Sequence, residues 1–348
     1  MGYKNKKYQK DLIQQINEKL TDMLHAGEGT SKKDAIAEGT DKDKIYAYST
    51  YKSYFKHCKY FARYINENHP ECTNLKQAKK YVNEWLQARV DQVNKKGEHL
   101  SSWTITLERE SLGKLYGITP DDPNFFKAPQ RHREDIKRSR GDAVRDKHFS
   151  EKNNDEFIKF CRGTGCRRNI MKKLEGRDLY TRVDMDKEIA MLEAVEVPTV
   201  VQEKHLAVLK DAISQFPEHE YFIHHRKDKG GKYRCAPIIG DNAKQIIERM
   251  KATAPYEKVW QHVPDNADIH GYRGEYATAI YKMYARPIEE IPYDRINKGT
   301  GKRFQGGVYT CRKDESGKKL DREAMMKASK ALGHNRLEVV ANNYIRGL

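Results

Sequence analysis

No run of about 18 apolar residues occurs in the chain, so nothing in it is built to cross a bilayer as a helix. The opening MGYKNKKYQK lacks the apolar core of a secretory signal. Gly2 follows Met1 as in a myristoylation signal, but Lys6 and Lys7 stand where that signal wants Ser or Thr. A cytoplasmic chain without a membrane partner is expected. Cysteine pairs are also missing: Cys58, Cys72, Cys161, Cys166, Cys235 and Cys311 are scattered, with no CxxC and no histidine ladder beside them. They are read as reduced packing thiols, since zinc through Cys161 and Cys166 would need a second close pair. His224-His225 likewise lacks a third close ligand in the sequence. No metal and no cofactor is expected.

What is present is positive charge. Lys and Arg number 66 against 50 Asp and Glu, a formal charge of +16 over 348 residues. That surplus calls for a polyanion, and nucleic acid is the default candidate. The length suits two globular units plus an appendage.

Residues 1–43 pair a helix pattern (Leu12, Ile13, Ile16, Leu20, Leu24) with the charged, Gly-containing HAGEGTSKKD and are expected to form an N-terminal helical arm. It would touch DNA or a neighbouring subunit, or simply be solvated. Residues 44–118 carry three helical stripes. The first runs through Tyr51, Tyr54, Phe55, Cys58, Phe61, Ala62 and Ile65, and the second through Ala78, Tyr81, Val82, Trp85 and Leu86. The third, through Trp103, Ile105, Leu112, Leu115 and Tyr116, follows the start signal Ser101-Ser102. Their polar faces bear Lys52, Lys56 and Lys79, which suit phosphates or plain solvation. A basic linker, 119–147, contains Arg138, Arg140 and Arg145. Residues 148–348 resume with helices and one hairpin, YFIHHRK and YRCAPII around DKGGK. The expected class is mainly α with a small antiparallel sheet.

Four stretches of this last segment pair a cation or donor with a structural anchor. TGCR turns at Thr164-Gly165 and leads into Arg167; KGGKYRCAP carries Lys229 and Lys232 on a glycine turn. HGYR puts His270 and Arg273 on one helix face, and ALGHNRLEVVANNY places His334 after a helix-ending Gly333 and ten residues before Tyr344. Singly, each is more simply a surface charge, a structural histidine or a packing aromatic. As an ordered set they resemble the tyrosine site-specific recombinase (phage integrase) family, over roughly residues 45–346. TGCR is similar to its TGLR turn, KGGKYRCAP to its KGxKxRxVP hairpin, HGYR to its HxxR, and ALGH with a later tyrosine to its closing motif.

The resemblance implies a helical core-binding domain at 44–118 and a catalytic domain at 148–348. It also implies cutting and rejoining of double-stranded DNA through a 3′-phosphotyrosine at Tyr344, at specific sites in a bacterial nucleoid. The partners it implies are a tetramer of the chain on DNA and accessory DNA-bending proteins. Phosphodiester displacement loads charge onto the nonbridging oxygens, which two guanidiniums can clamp; Arg167 and Arg273 are the candidates. A phenol needs its proton accepted, a role that falls by resemblance to His270. Lys229 would protonate the departing 5′ oxygen and His334 would donate to the phosphate. Lys232 would bind DNA, and it competes with Lys229 as Arg168 does with Arg167. Ile170 stands where members place an acid three residues after the first arginine. A type IB topoisomerase-like or resolving enzyme, or a DNA-binding protein without catalysis, would share parts of this pattern.

Overall fold

A computed structural model describes residues 10–131, 149–228, 232–291, 306–311 and 315–345. The chain is mainly helical with small antiparallel sheets, and it divides into two compact units, Met1–Asp135 and Ile136–Leu348.

The N-terminal unit contains α1 (Leu12–Gly27), α2 (Lys32–Ala37), α3 (Tyr48–Asn68), α4 (Leu75–Ala78), α5 (Val82–Asp91) and α6 (Ser102–Tyr116). Helix α3 buries Cys58, Phe61, Ala62 and Ile65 at three-and-four spacing against Trp85 and Leu86 of α5 and Leu112 and Leu115 of α6. Ser101 caps α6 by accepting from the Thr104 N–H at 3.2 Å, and Gly117 ends it at φ 64°.

Two boundaries differ from the sequence expectation. The arm is not separate: Leu12, Ile16, Leu20 and Met23 of α1 are buried in the same core as α3. An apolar stripe of that length, worth about 1.5–3 kcal/mol for each large side chain buried, wins over solvation. The linker also starts later than 119, because Phe125 is buried in this core and Arg109 hydrogen-bonds the Phe126 carbonyl.

The C-terminal unit runs α7 (Asp155–Thr164), α8 (Arg168–Met171), β1 (Leu179–Thr181), α9 (Arg182–Glu193), α10 (Val200–Gln215), β2 (Tyr221–Asp228), β3 (Lys232–Pro237), α11 (Ala243–Ala252), α12 (Ile269–Tyr284), β4 (Val308–Thr310), β5 (Lys319–Asp321), α13 (Arg322–Ala331) and α14 (Leu337–Asn343). The expected hairpin is β2–β3, with His224 opposite Cys235 and His225 opposite Arg234. Strand β1 adds to its edge, and β4–β5 pair within the second Gly-rich segment. These three-residue strands are too short to show a period in sequence.

Helix α12 lies between two cores. Tyr272 packs with Phe160, Ile170 and Ile246 on one side, and Tyr276, Ala277 and Ile280 pack with Met325, Ala328 and Val340 on the other. Arg273 sits between these aromatics, 1 % exposed. All six cysteines are buried, and none forms a disulfide among the described residues. Among the described residues no helix is long and apolar enough to cross a membrane.

Candidate active site

Two glycine turns build the site. Helix α7 ends at Gly165 with φ 58°, and an added Cβ there would meet the Tyr276 ring at 2.3 Å. Only glycine fits both demands, and the turn aims the Gly165 carbonyl at Arg273, whose guanidinium donates to it. Helix α13 ends at Gly333 with φ 70°, where a Cβ would stand 2.7 Å from Cδ of Arg234. The carbonyls there face cations: Ala331 O accepts from Arg234, and Leu332 O accepts from Arg273 and, at 3.4 Å, from Arg167. The negative end of a helix dipole thus gathers three guanidiniums.

One carboxylate lies among them. Asp228, at the end of β2, pairs through Oδ2 with Arg167 and, at 3.1 Å, with Nε of Arg234. This acid reaches Arg167 from the hairpin, whereas the residues of Arg167's own helix, with Ile170 among them, offer no carboxylate. The second Arg234 nitrogen lies 3.1 Å from Nδ1 of His225, a ring that burial and then Arg234 hold well below its ordinary pKa. Burial first, then Arg234 and Arg167, push Arg273 down to about 10, so it stays cationic at neutral pH. Its buried Nε has no hydrogen-bond partner among the described residues. Among the described residues three guanidiniums stand against one carboxylate, two positive charges in excess.

The phenol stands at this excess. Tyr344 follows α14, its ring 5.6 Å from the Arg273 guanidinium carbon and its hydroxyl 3.2 Å from Nε2 of His334. That nitrogen also lies 3.3 Å from Arg167, which can only donate. Nε2 is therefore an acceptor, and the proton of the neutral ring sits on Nδ1. Burial, then Arg273 and Arg167, push His334 down to about 4, so the ring is neutral at physiological pH. His270 is exposed at the start of α12, with its ring centroid 5.1 Å from that of Tyr344. Its helix start is already capped by the Asp268 carboxylate, which accepts from the Gly271 N–H at 2.9 Å.

The fold thus brings Arg167, Arg273, His334 and Tyr344 together, with His270 alongside. The competing Arg168 turns away to the carbonyls of Pro264 and Ala267. Asn335 does not cap α14; its N-cap is Arg336, without a side-chain bond. Lys229, Arg138, Arg140 and Arg145 lie outside the described residues, as does the side chain of Lys232. In the N-terminal unit Lys52 and Lys56 are exposed one turn apart on α3, and Lys79 is exposed after α4. Sequence reasoning assigned no role to Arg234, Asp228 or His225. The signal for Arg234 was its place inside KGGKYRCAP; Asp228, just before Lys229, carried none. No protein-family model matches the chain, and no curated protein matches it.

Proposed function

We propose that the chain is a site-specific DNA recombinase that cuts and rejoins strands through a covalent bond between Tyr344 and a backbone phosphate. One observation carries this: a phenol facing a neutral imidazole at 3.2 Å, beside the buried Arg234 and Arg273 and the half-buried Arg167, which share one carboxylate among the described residues. Buried cations in excess are costly unless an anion completes them. A phosphodiester is such an anion, and it gains charge on its nonbridging oxygens as the phenol attacks.

In this mechanism Arg167 and Arg273 clamp those oxygens, and Arg234 holds Asp228, which orients Arg167. The His334 Nε2 lone pair takes the phenolic proton, a role the resemblance gives to His270. Lys229, one residue beyond Asp228, protonates the departing 5′ oxygen. The bond energy is kept in the phosphotyrosine, and the freed 5′ hydroxyl of a partner strand reverses the attack. Lys52, Lys56 and Lys79 of the N-terminal unit hold duplex phosphates, and a tetramer brings two duplexes together.

The test is a nicked suicide substrate run on a denaturing gel. Wild type is expected to leave a protein–DNA band, and Tyr344→Phe to lose it while still binding DNA, because only the nucleophilic oxygen is gone. A band that persists would remove Tyr344 from this role.

A further inference from the structure

We propose that Glu188, His205 and His224 form a binding site for a divalent transition metal, zinc by its ligand set, that ties α9 and α10 to the sheet. The site is separate from the arginine cluster and does not depend on the recombinase assignment. It draws one ligand from each of three elements: Glu188 from α9, His205 from α10 and His224 from β2.

The donor atoms converge. Nε2 of His205 and Nε2 of His224 are 3.0 Å apart, a Glu188 oxygen is 3.6 Å from Nδ1 of His205, and one donor atom from each residue lies within 4.8 Å of the others. Two imidazoles on one tetrahedral zinc have nitrogens about 3.3 Å apart, given zinc–nitrogen bonds near 2.0–2.1 Å. Two histidines and a carboxylate are an established zinc ligand set. Both rings are buried.

Without an ion, one imidazole donates to the other and His205 faces Glu188. With Nε2 of His224 on a metal, the proton sits on Nδ1, the tautomer a ligand needs; in either case that Nδ1 is buried with no hydrogen-bond partner among the described residues. The surroundings also suit an ion. Tyr180 donates to Glu188 and fixes the carboxylate, while Tyr233 stacks on His205 with centroids 4.1 Å apart. Glu188 and Tyr180 line a surface cleft of about 500 Å³, so the carboxylate end of the cluster is open to solvent. The nearby cation, Arg226, is engaged by Asp178 at 3.2 Å, which offsets its repulsion.

The placement has a mechanical meaning. Neighbouring residues on a strand face opposite ways, so His224 meets α10 while His225 meets Arg234. A metal there would hold β2 in register, and with it Asp228 at its end.

The test uses the full chain, stripped with chelator, dialysed, and titrated with Zn²⁺ and with Co²⁺. Wild type is expected to bind one equivalent at this site. Its Co²⁺ form should show the visible absorption of a tetrahedral ion and no thiolate charge-transfer band. At zinc a hundredfold above Kd the Tm should rise by about 5–10 °C. His205→Gln with His224→Gln should lose binding. Glu188→Gln, at a partly exposed position that spares the fold, should weaken it at least tenfold, and Tyr180→Phe by about 10–100-fold. Absence of binding in wild type, unchanged affinity in Glu188→Gln, or a thiolate band placing the ion on cysteines would each overturn the proposal.

Discussion

In the N-terminal unit Glu108 is fully buried and receives two bonds from Arg89, at 2.8 and 3.0 Å, with Nδ1 of His57 at 3.4 Å. Burial raises its pKa, but the His57 and Arg89 bonds outweigh that, and the carboxyl ends below its ordinary value. In the C-terminal unit Arg273 and Arg234 are buried as deeply, yet they share a single Asp228 with Arg167. One unit buries a carboxylate with its cation in place; the other buries cations beyond what its carboxylate can neutralise. Matched charge needs nothing further from outside, whereas surplus charge in a dry setting asks for a ligand. That difference, more than the overall basic composition, separates a structural ion pair from a candidate phosphate site.

The hardest way to break the comparison is to ask whether the surplus cations perform separable chemistry. Removing a general acid should slow cleavage by about 10²- to 10⁴-fold. Lys229→Ala should be slow on ordinary DNA and near normal on a substrate with sulfur at the bridging 5′ position, because a thiolate leaves without a proton. Arg167→Ala should be slow on both, since its charge serves the nonbridging oxygens. Single-turnover cleavage of both substrates checks this. Rescue of Lys232→Ala instead would move the acid along the hairpin, and rescue of Arg167→Ala would mean that the guanidinium cluster is not a clamp.

A smaller effect concerns stability. Arg89→Met strands a buried carboxylate and should cost on the order of 3 kcal/mol. Arg167→Met removes one of several mutually repelling cations and leaves Asp228 paired with Arg234, so it should cost clearly less. Urea unfolding, with hydrogen exchange to separate the units, measures both. Equal losses would mean that the cations of the C-terminal unit are matched by something not counted among them.

These distinctions were only partly legible in the sequence. Spacing gave the stripes of α3, α5 and α6 and the β2–β3 hairpin, because one buried face imposes its period on the residues. The ordered motifs singled out Arg167, Arg273, His334 and Tyr344, which the fold then gathers from three separate stretches of the chain. Asp228 was invisible because one partner, Arg167, lies 61 residues away, and although Arg234 is only six residues on, nothing local marks the pair as buried. His205 carried no local signal either, yet it is buried with Leu209 and Ala212 in α10. The packing of α1 was missed for the converse reason: a regular stripe was read as an arm, touching DNA or a neighbouring subunit or simply solvated, although it had a core to join.

The smallest effect tests the surplus by its influence on one proton. His334 is pushed down to about 4 by burial and by Arg273, Arg167 and Arg234, against an unperturbed value near 6.5. The unfolded chain therefore takes up this proton first as pH falls. The associated stability is fully present above about pH 6.5, is lost as pH drops towards 4, and changes little below that, with a slope of at most about 1.4 kcal/mol per pH unit. His334→Gln should flatten that part of the pH dependence of urea unfolding. If the neighbouring cations await a phosphate, an anion bound among them should offset their repulsion and raise the His334 pKa. NMR titration of the ring, with and without a short DNA duplex or inorganic phosphate, reads this directly. A His334 pKa that stays put while anion binds elsewhere would mean the guanidiniums are matched after all, and the contrast with Glu108 would lapse.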